Sequence, residues 1–362
     1  MTAKSLLVRS VLVASAAWGP LAATTPLFTD GPSFGGSKVF SEGTNPLGNP
    51  ARYSQAPSSY GFTFVDGDLR AQDNKSILAS AASPDPAAAS AALSQLADAP
   101  WADRVRAYGF AGFKEGTCLA LTQETLNGML AYPDLAPADL GGGLANNLST
   151  LDGRQARVNR LNIGGGAPLS KGDTTSLGID LRVERWSRGQ VVESYNSSWG
   201  GPPDFADAEP VLMGSHATSL RTWNFGLDAG AVLQLAPGVN LGLTADQLVA
   251  KRLWDVSLQP QFRAGLQLAL GPSASLSLEG DLNAAERMPL PAKQQSASAS
   301  LRYAISTSAV VLLGAERTKV ESASVTRGGI TLQIRTQAVL FAVGFQAGED
   351  RPLKSATLMV SN

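Results

Sequence analysis

The sequence predicts an all-β protein, an antiparallel transmembrane β-barrel of about 12–14 strands with an irregular N-terminal segment and a short helical insertion. Three observations carry that reading: an export leader, long stretches of strict apolar/polar alternation, and a low charge content. Charged side chains make up 16% of the 362 residues, against roughly 25% in a typical soluble domain.

The leader comes first. Lys4 and Arg9 make a basic start, residues 10–18 form a short apolar run, and Gly19-Pro20 breaks any helix. Leu21-Ala22-Ala23 then offers small residues for cleavage, so residues 1–23 read as a secretory signal peptide. The run falls well short of the roughly 20 apolar residues a spanning helix needs. No later stretch reaches that length, so a membrane form of this chain must cross with strands.

Residues 24–56 are rich in Pro, Gly, Ser and Asn without a sustained period. They read as an irregular segment and a candidate plug, with Asn45, Pro46, Asn49 and Pro50 as its candidate residues. The barrel is assigned to residues 57–362. Tyr60, Phe62 and Phe64 fall on alternate positions of a first strand or strand pair over residues 58–69. Pro86 sits at a first helical position, and Ala-rich sequence follows until Pro100, which predicts a helical insertion over residues 86–99. Residues 122–130 are compatible with a helical turn or two. Further strand candidates are residues 105–113, 157–167, 176–186 and 190–197.

From Leu220 onward the alternation is regular. Trp223, Phe225, Leu227, Ala229 and Ala231 occupy one face, and Asn224, Gly226, Asp228 and Gly230 the other. Such period-two patterning marks strands with one apolar and one polar face. Pro237-Gly238 and Gly271-Pro272 turn the chain tightly, whereas other connections are long. Tight turns on one rim and long loops on the other are expected of membrane barrels. Several runs also reach the roughly 9–11 residues of a membrane strand rather than the roughly 5–6 of a soluble one. In this scheme Asn224, Asp228, Asp246, Arg263, Gln267, Glu279, Asp281, Arg302, Glu316 and Arg335 face the lumen. Arg317 falls in the apolar register, which is tolerable near a rim. Trp186, Trp223 and Trp254, like Trp199, lie near strand ends, as interfacial aromatics do.

Chemical motifs are sparse. His216 is the only histidine and no G-x-S-x-G elbow precedes a helix, so no catalytic residue is assigned. One His and one Cys exclude the usual transition-metal ligand sets, and no cofactor is implied. Cys118 has no base nearby in sequence and reads as a packed strand residue. Residues 31–38 miss the phosphate loop, since Ser37 precedes Lys38 where Gly-Lys-Ser/Thr is required. A net charge of −1 gives no field for nucleic acid.

Three local patterns resemble the outer-membrane barrels that include the FadL-type fatty-acid channels and the TraF-type conjugation proteins. They are Asn45-Pro46-Leu47-Gly48-Asn49-Pro50-Ala51, Phe225-Gly226-Leu227-Asp228-Ala229-Gly230-Ala231, and Gln259-Pro260-Gln261-Phe262-Arg263-Ala264-Gly265. The Ala-rich insertion is more similar to the TraF-like branch. The resemblance implies an outer-membrane location and contact with outer-membrane lipid, and the sparse chemical motifs argue against an enzyme. It implies either a channel for small or hydrophobic solutes or a component of an envelope assembly with protein partners. The alternative is a soluble exported β-sandwich that binds a carbohydrate or a protein. The ending Met359-Val360-Ser361-Asn362 departs from the usual aromatic terminus of such barrels, which leaves the closing strand open between residues ending at Phe345 and residues 353–360.

Overall fold

Period-two alternation becomes long paired strands in the computed structural model, which describes residues 36–40, 48–69, 91, 101–132, 150–169, 175–194, 220–287, 290–320, 323–347 and 353–361. The first strands are β1 (Ser59–Leu69), β2 (Trp101–Lys114), β3 (Thr117–Tyr132), β4 (Thr150–Pro168) and β5 (Ser176–Ser194). Next come β6 (Leu220–Ala236), β7 (Val239–Asp246), the short pair β8 (Lys251–Leu253) and β9 (Val256–Leu258), β10 (Gln261–Ala269) and β11 (Ala274–Asp281). The last are β12 (Ala285–Arg287), β13 (Leu290–Ala304), β14 (Ala309–Val320), β15 (Ala323–Arg335), β16 (Val339–Ala347) and β17 (Leu353–Ser361).

Fourteen of these strands form one closed antiparallel barrel. β1 pairs with β2 on one side and with β17 on the other, and β11 pairs with β13 across the short β12. Closure rules out the β-sandwich, which needs two separate sheets. The closing strand is β17, with Ser59 opposite Ser361. Closure also removes the unpaired edge that an open sheet of this length would expose.

The tight turns gather on the rim where β1 begins and β17 ends. Gly238 takes φ 76° between β6 and β7, a left-handed conformation that glycine adopts without steric cost. Three expectations change. Residues 122–130 belong to the long strand β3, because they pair with β2 and β4 on both sides. Residues 176–186 and 190–197 do not form two strands, since β5 runs unbroken to Ser194. The Pro-containing stretch over residues 288–293 suggests a connection by its sequence, yet β13 begins within it at Leu290. The signal peptide, the helical insertion apart from residue 91, Asn45, Pro46, Trp199 and His216 lie outside the described residues.

Alternation sorts side chains onto two faces. Phe62, Ile179, Phe225, Leu332 and Leu358 point outward and are exposed. On β3, β4 and β5 the outward positions change from Leu121, Leu161 and Leu181 to Gln123, Asn159 and Arg185 toward the long-loop rim. An apolar belt therefore ends at a polar line on the same face. A folded monomer in water rarely presents contiguous apolar surface on this scale.

Candidate functional site

The inward face is divided. Along β1–β4 and β17, inward Val65, Val105, Ala107, Leu126, Val158 and Met359 join one buried apolar cluster. Beside this cluster on β3 and β4 and around the rest of the barrel most inward positions are polar or charged, with Val232, Leu312 and Leu340 among the exceptions. Arg160 on β4 lies between Glu124 and Glu184, donating from Nε to Glu184 at 2.7 Å and from a terminal nitrogen to Glu124. Glu184 also accepts from Asn224 at 2.7 Å and from the Trp186 indole at 2.9 Å. Arg182 donates to Asp228 and to Gln247, each at 2.9 Å. Farther round, Arg263 stands 3.1 Å from Asp281 and 3.7 Å from Glu279. Buried charges persist only when paired, so these groups hold one another on the wall.

Two segments fill the barrel from opposite rims. From the tight-turn rim come residues 36–40 and the 3-10 turn Pro50–Gln55. Glu279 accepts the backbone N–H groups of Lys38 and Val39, both at 2.9 Å, and the hydroxyl of Ser37 at 3.1 Å. Lys38 pairs with Asp246. Asn49 caps the turn by accepting from Ala51 N–H at 3.0 Å, and its amide donates to the carbonyls of Val39 and Ala231. This seat needs a wall without side chains. A Cβ on Gly230 would stand 1.8 Å from Asn49 Oδ1, and one on Gly178 would stand 2.3 Å from the Pro50 carbonyl carbon. Gly178 and Gly230 face each other across β5 and β6, so they form one contact surface.

From the long-loop rim comes the β8–β9 hairpin. Leu253 and Val256 are buried in the apolar cluster of the wall, with Trp254 packed beside them. Asp255 at the tip takes ion pairs from Arg154 and Arg188, and the Arg188 guanidinium lies 5.8 Å over the Trp254 ring. Partial burial disfavours charge on Asp255, but the two guanidinium groups outweigh it and hold its carboxyl below the ordinary carboxylate value. A lowered pKa adds stability above the ordinary value and loses it as pH falls through the shifted one. The hairpin is therefore expected to stay latched at pH 7 and pH 5 and to loosen below about pH 4. Amide hydrogen exchange across residues 251–258, corrected for its intrinsic pH dependence, should accelerate only in that acidic range. Equal protection at pH 7 and pH 3 would contradict the latch.

At the tight-turn rim, a cavity of about 350 Å³ opens between the plug and the wall. Arg52 and Phe40 line it from the plug, and Asn240, Gln267, Arg302 and Arg335 from the wall.

Asn224, Asp228, Asp246, Arg263, Glu279, Asp281 and Glu316 sit on the inner face with the charged network, and Gln267, Arg302 and Arg335 line the cavity. Asn49 and Pro50 lie in the seat formed by Gly178 and Gly230. Trp223 is outward and 54% exposed, but Trp186 is inward and 5% exposed. Trp186 shares the parity of Glu184, which corrects its reading as an interfacial aromatic. Trp254 belongs to the inserted hairpin and not to the outer face. The hairpin, the apolar wall and the glycine seat were not read from sequence. Among the described residues, no group of three or more His, Cys, Asp or Glu side chains could hold a metal ion.

No protein-family model matches the chain, and no curated protein matches it. Solved structures do match. The Pseudomonas putida toluene transporter TodX aligns over 94% of this chain and 98% of its own, with a TM-score of 0.51 and 9% identity. The Ralstonia pickettii toluene transporter TbuX aligns over 91% of this chain and 95% of its own, with a TM-score of 0.50 and 10% identity. At this identity the likeness is one of fold. Both neighbours belong with the FadL-type channels, and nothing in the comparison points to the TraF-like branch.

Proposed function

We propose that this chain is a non-enzymatic outer-membrane channel that passes small hydrophobic solutes along the apolar part of its inner wall. The observation that carries this reading is the division of the lumen. A barrel serving only hydrated solutes has no use for a continuous inward apolar stripe, because the inner faces of such channels are polar. Here the stripe runs from the hairpin at one rim to Tyr53 of the plug at the other. The outward apolar belt supplies a lipid-facing surface, and the toluene-transporter fold is consistent with the same chemistry. With both segments seated the path is closed, so passage requires one or both to move.

The test is a substitution on the stripe. Val65 is fully buried and inward on β1. Val65→Asn places an amide where an apolar solute must slide, and leaving a polar group unpaired there costs about 1–3 kcal/mol. Initial toluene uptake by intact cells should fall roughly tenfold, while the barrel keeps its resistance to detergent before boiling. Unchanged uptake would remove the stripe from the path.

A further inference from the structure

On the outer face, just beyond the apolar belt at the long-loop rim, cations gather without acids among the described residues. Arg157 on β4, Ser187 on β5 and Arg221 on β6 stand in register across three strands. Arg185, two residues from Ser187 on the same face, pairs in register with Trp223. Strands lie ~4.8 Å apart, so the backbone positions of Arg157 and Arg221 are separated by only ~10 Å. Lys251 joins them, its ammonium group donating to the Trp223 carbonyl.

The partners of these cations are neutral. Arg157 donates to Gln123 Oε1 at 2.7 Å, and the Arg185 guanidinium lies 6.0 Å from the Trp223 ring centroid. Among the described residues no carboxylate pairs with Arg157, Arg185, Arg221 or Lys251. Several other arginines differ. Arg106, outward at the same level on β2, pairs with Asp66 at 3.2 Å, and the inward arginines Arg154, Arg160, Arg182, Arg188 and Arg263 all pair with carboxylates.

We infer that Arg157, Arg185 and Arg221, with Lys251, form a site for the phosphate groups of a phosphorylated glycolipid in the outer leaflet. The inference rests on the membrane placement proposed above. Two observations favour a lipid over a soluble anion, and the chemistry of arginine suits its phosphates. The cluster borders the apolar belt, so acyl chains would lie on Leu181 and Phe225 while the headgroup meets the cations. The exposed Trp223 ring stands at the boundary, where an aromatic can contact both regions. Arginine forks bind phosphate oxygens through paired N–H donors, and several on one surface can hold two phosphates together.

The test uses the full folded barrel in detergent and native mass spectrometry with two probes, bis-phosphorylated lipid A and the same lipid with both phosphates removed. The wild-type chain should retain the phosphorylated probe over the dephosphorylated one by roughly tenfold or more. The triple variant R157Q/R185Q/R221Q should lose that preference. R317Q, which removes an outward arginine on β14, should keep it. Equal retention of the two probes by the wild type, or an undiminished preference in the triple variant, would overturn the site. Fractionation of the same cells separates the two readings. A barrel in the outer-membrane fraction without phosphate preference sinks this site alone, whereas a soluble protein sinks the membrane reading and the site with it.

Discussion

Arg160→Leu should cost about 3–5 kcal/mol of stability, the usual penalty for removing one partner of a buried ion pair. The Arg160, Glu124 and Glu184 side chains are all under 10% exposed, and the guanidinium lies between the two carboxylates. Glu184 would retain Asn224 and the Trp186 indole, but Glu124 would lose its charge partner. The matched control is Arg106→Leu. Its pair with Asp66 is half-exposed on the outer face, and such pairs contribute at most ~1 kcal/mol. The readout is the temperature at which the folded, detergent-resistant band converts to the unfolded one. Arg160→Leu should lower it clearly, Arg106→Leu little, and Arg160→Leu with Glu124→Leu should recover part of the loss. If the two single variants behaved alike, the charged wall would not be held by its ion pairs.

Glu279→Ala is expected to open the lumen rather than unfold the barrel. Its carboxylate gathers the Lys38 and Val39 N–H groups and the Ser37 hydroxyl on the plug side, with Ser298 from the wall. Arg263 keeps Asp281 as a partner after the change. Hydrogen bonds to a charged acceptor contribute about 1.5–3 kcal/mol each, so losing three plug contacts should unseat residues 36–40. Liposomes carrying the variant should then admit arabinose on the order of tenfold faster than those carrying the wild type. An unchanged rate would mean that this segment does not close the path.

Much of the barrel was legible because alternation is a strong signal where one face is apolar and the other polar. From Trp223 to Gly230 the order of side chains states which residues point inward. The same parity, counted from Leu177 on β5, places Trp186 with Glu184 on the inside; its position near a strand end suggested the opposite and was the weaker guide. Residues 122–130 include Gln, Glu, Leu and Met, all good helix formers, yet pairing with β2 and β4 decided their conformation, as tertiary context commonly overrides local propensity.

The candidate site was harder to read. The β8–β9 hairpin has only three residues per strand, too few for a period, and its Trp254 adopts φ 58°, which no residue pattern announces. Gly178 and Gly230 looked like ordinary strand glycines. Their purpose depends on Asn49 and Pro50, more than a hundred residues away in sequence. The apolar stripe was hidden for a related reason. Its members alternate with outward residues that are apolar along part of β1 and β2, such as Phe62, Phe64, Tyr108 and Phe110, and polar nearer the long-loop rim, such as Arg106 and Thr125, so neither face kept one character to mark the inside.

The channel reading is tested most directly by the selectivity of uptake into intact cells, measured as the initial rate for toluene against that for arabinose, with and without this chain. The account predicts that the chain raises toluene uptake severalfold while arabinose changes little, because a hydrophobic solute gains contact with the apolar stripe as it passes and arabinose gains none. A rise in arabinose alone would describe a polar pore, and no rise in either would contradict a channel for small hydrophobic solutes.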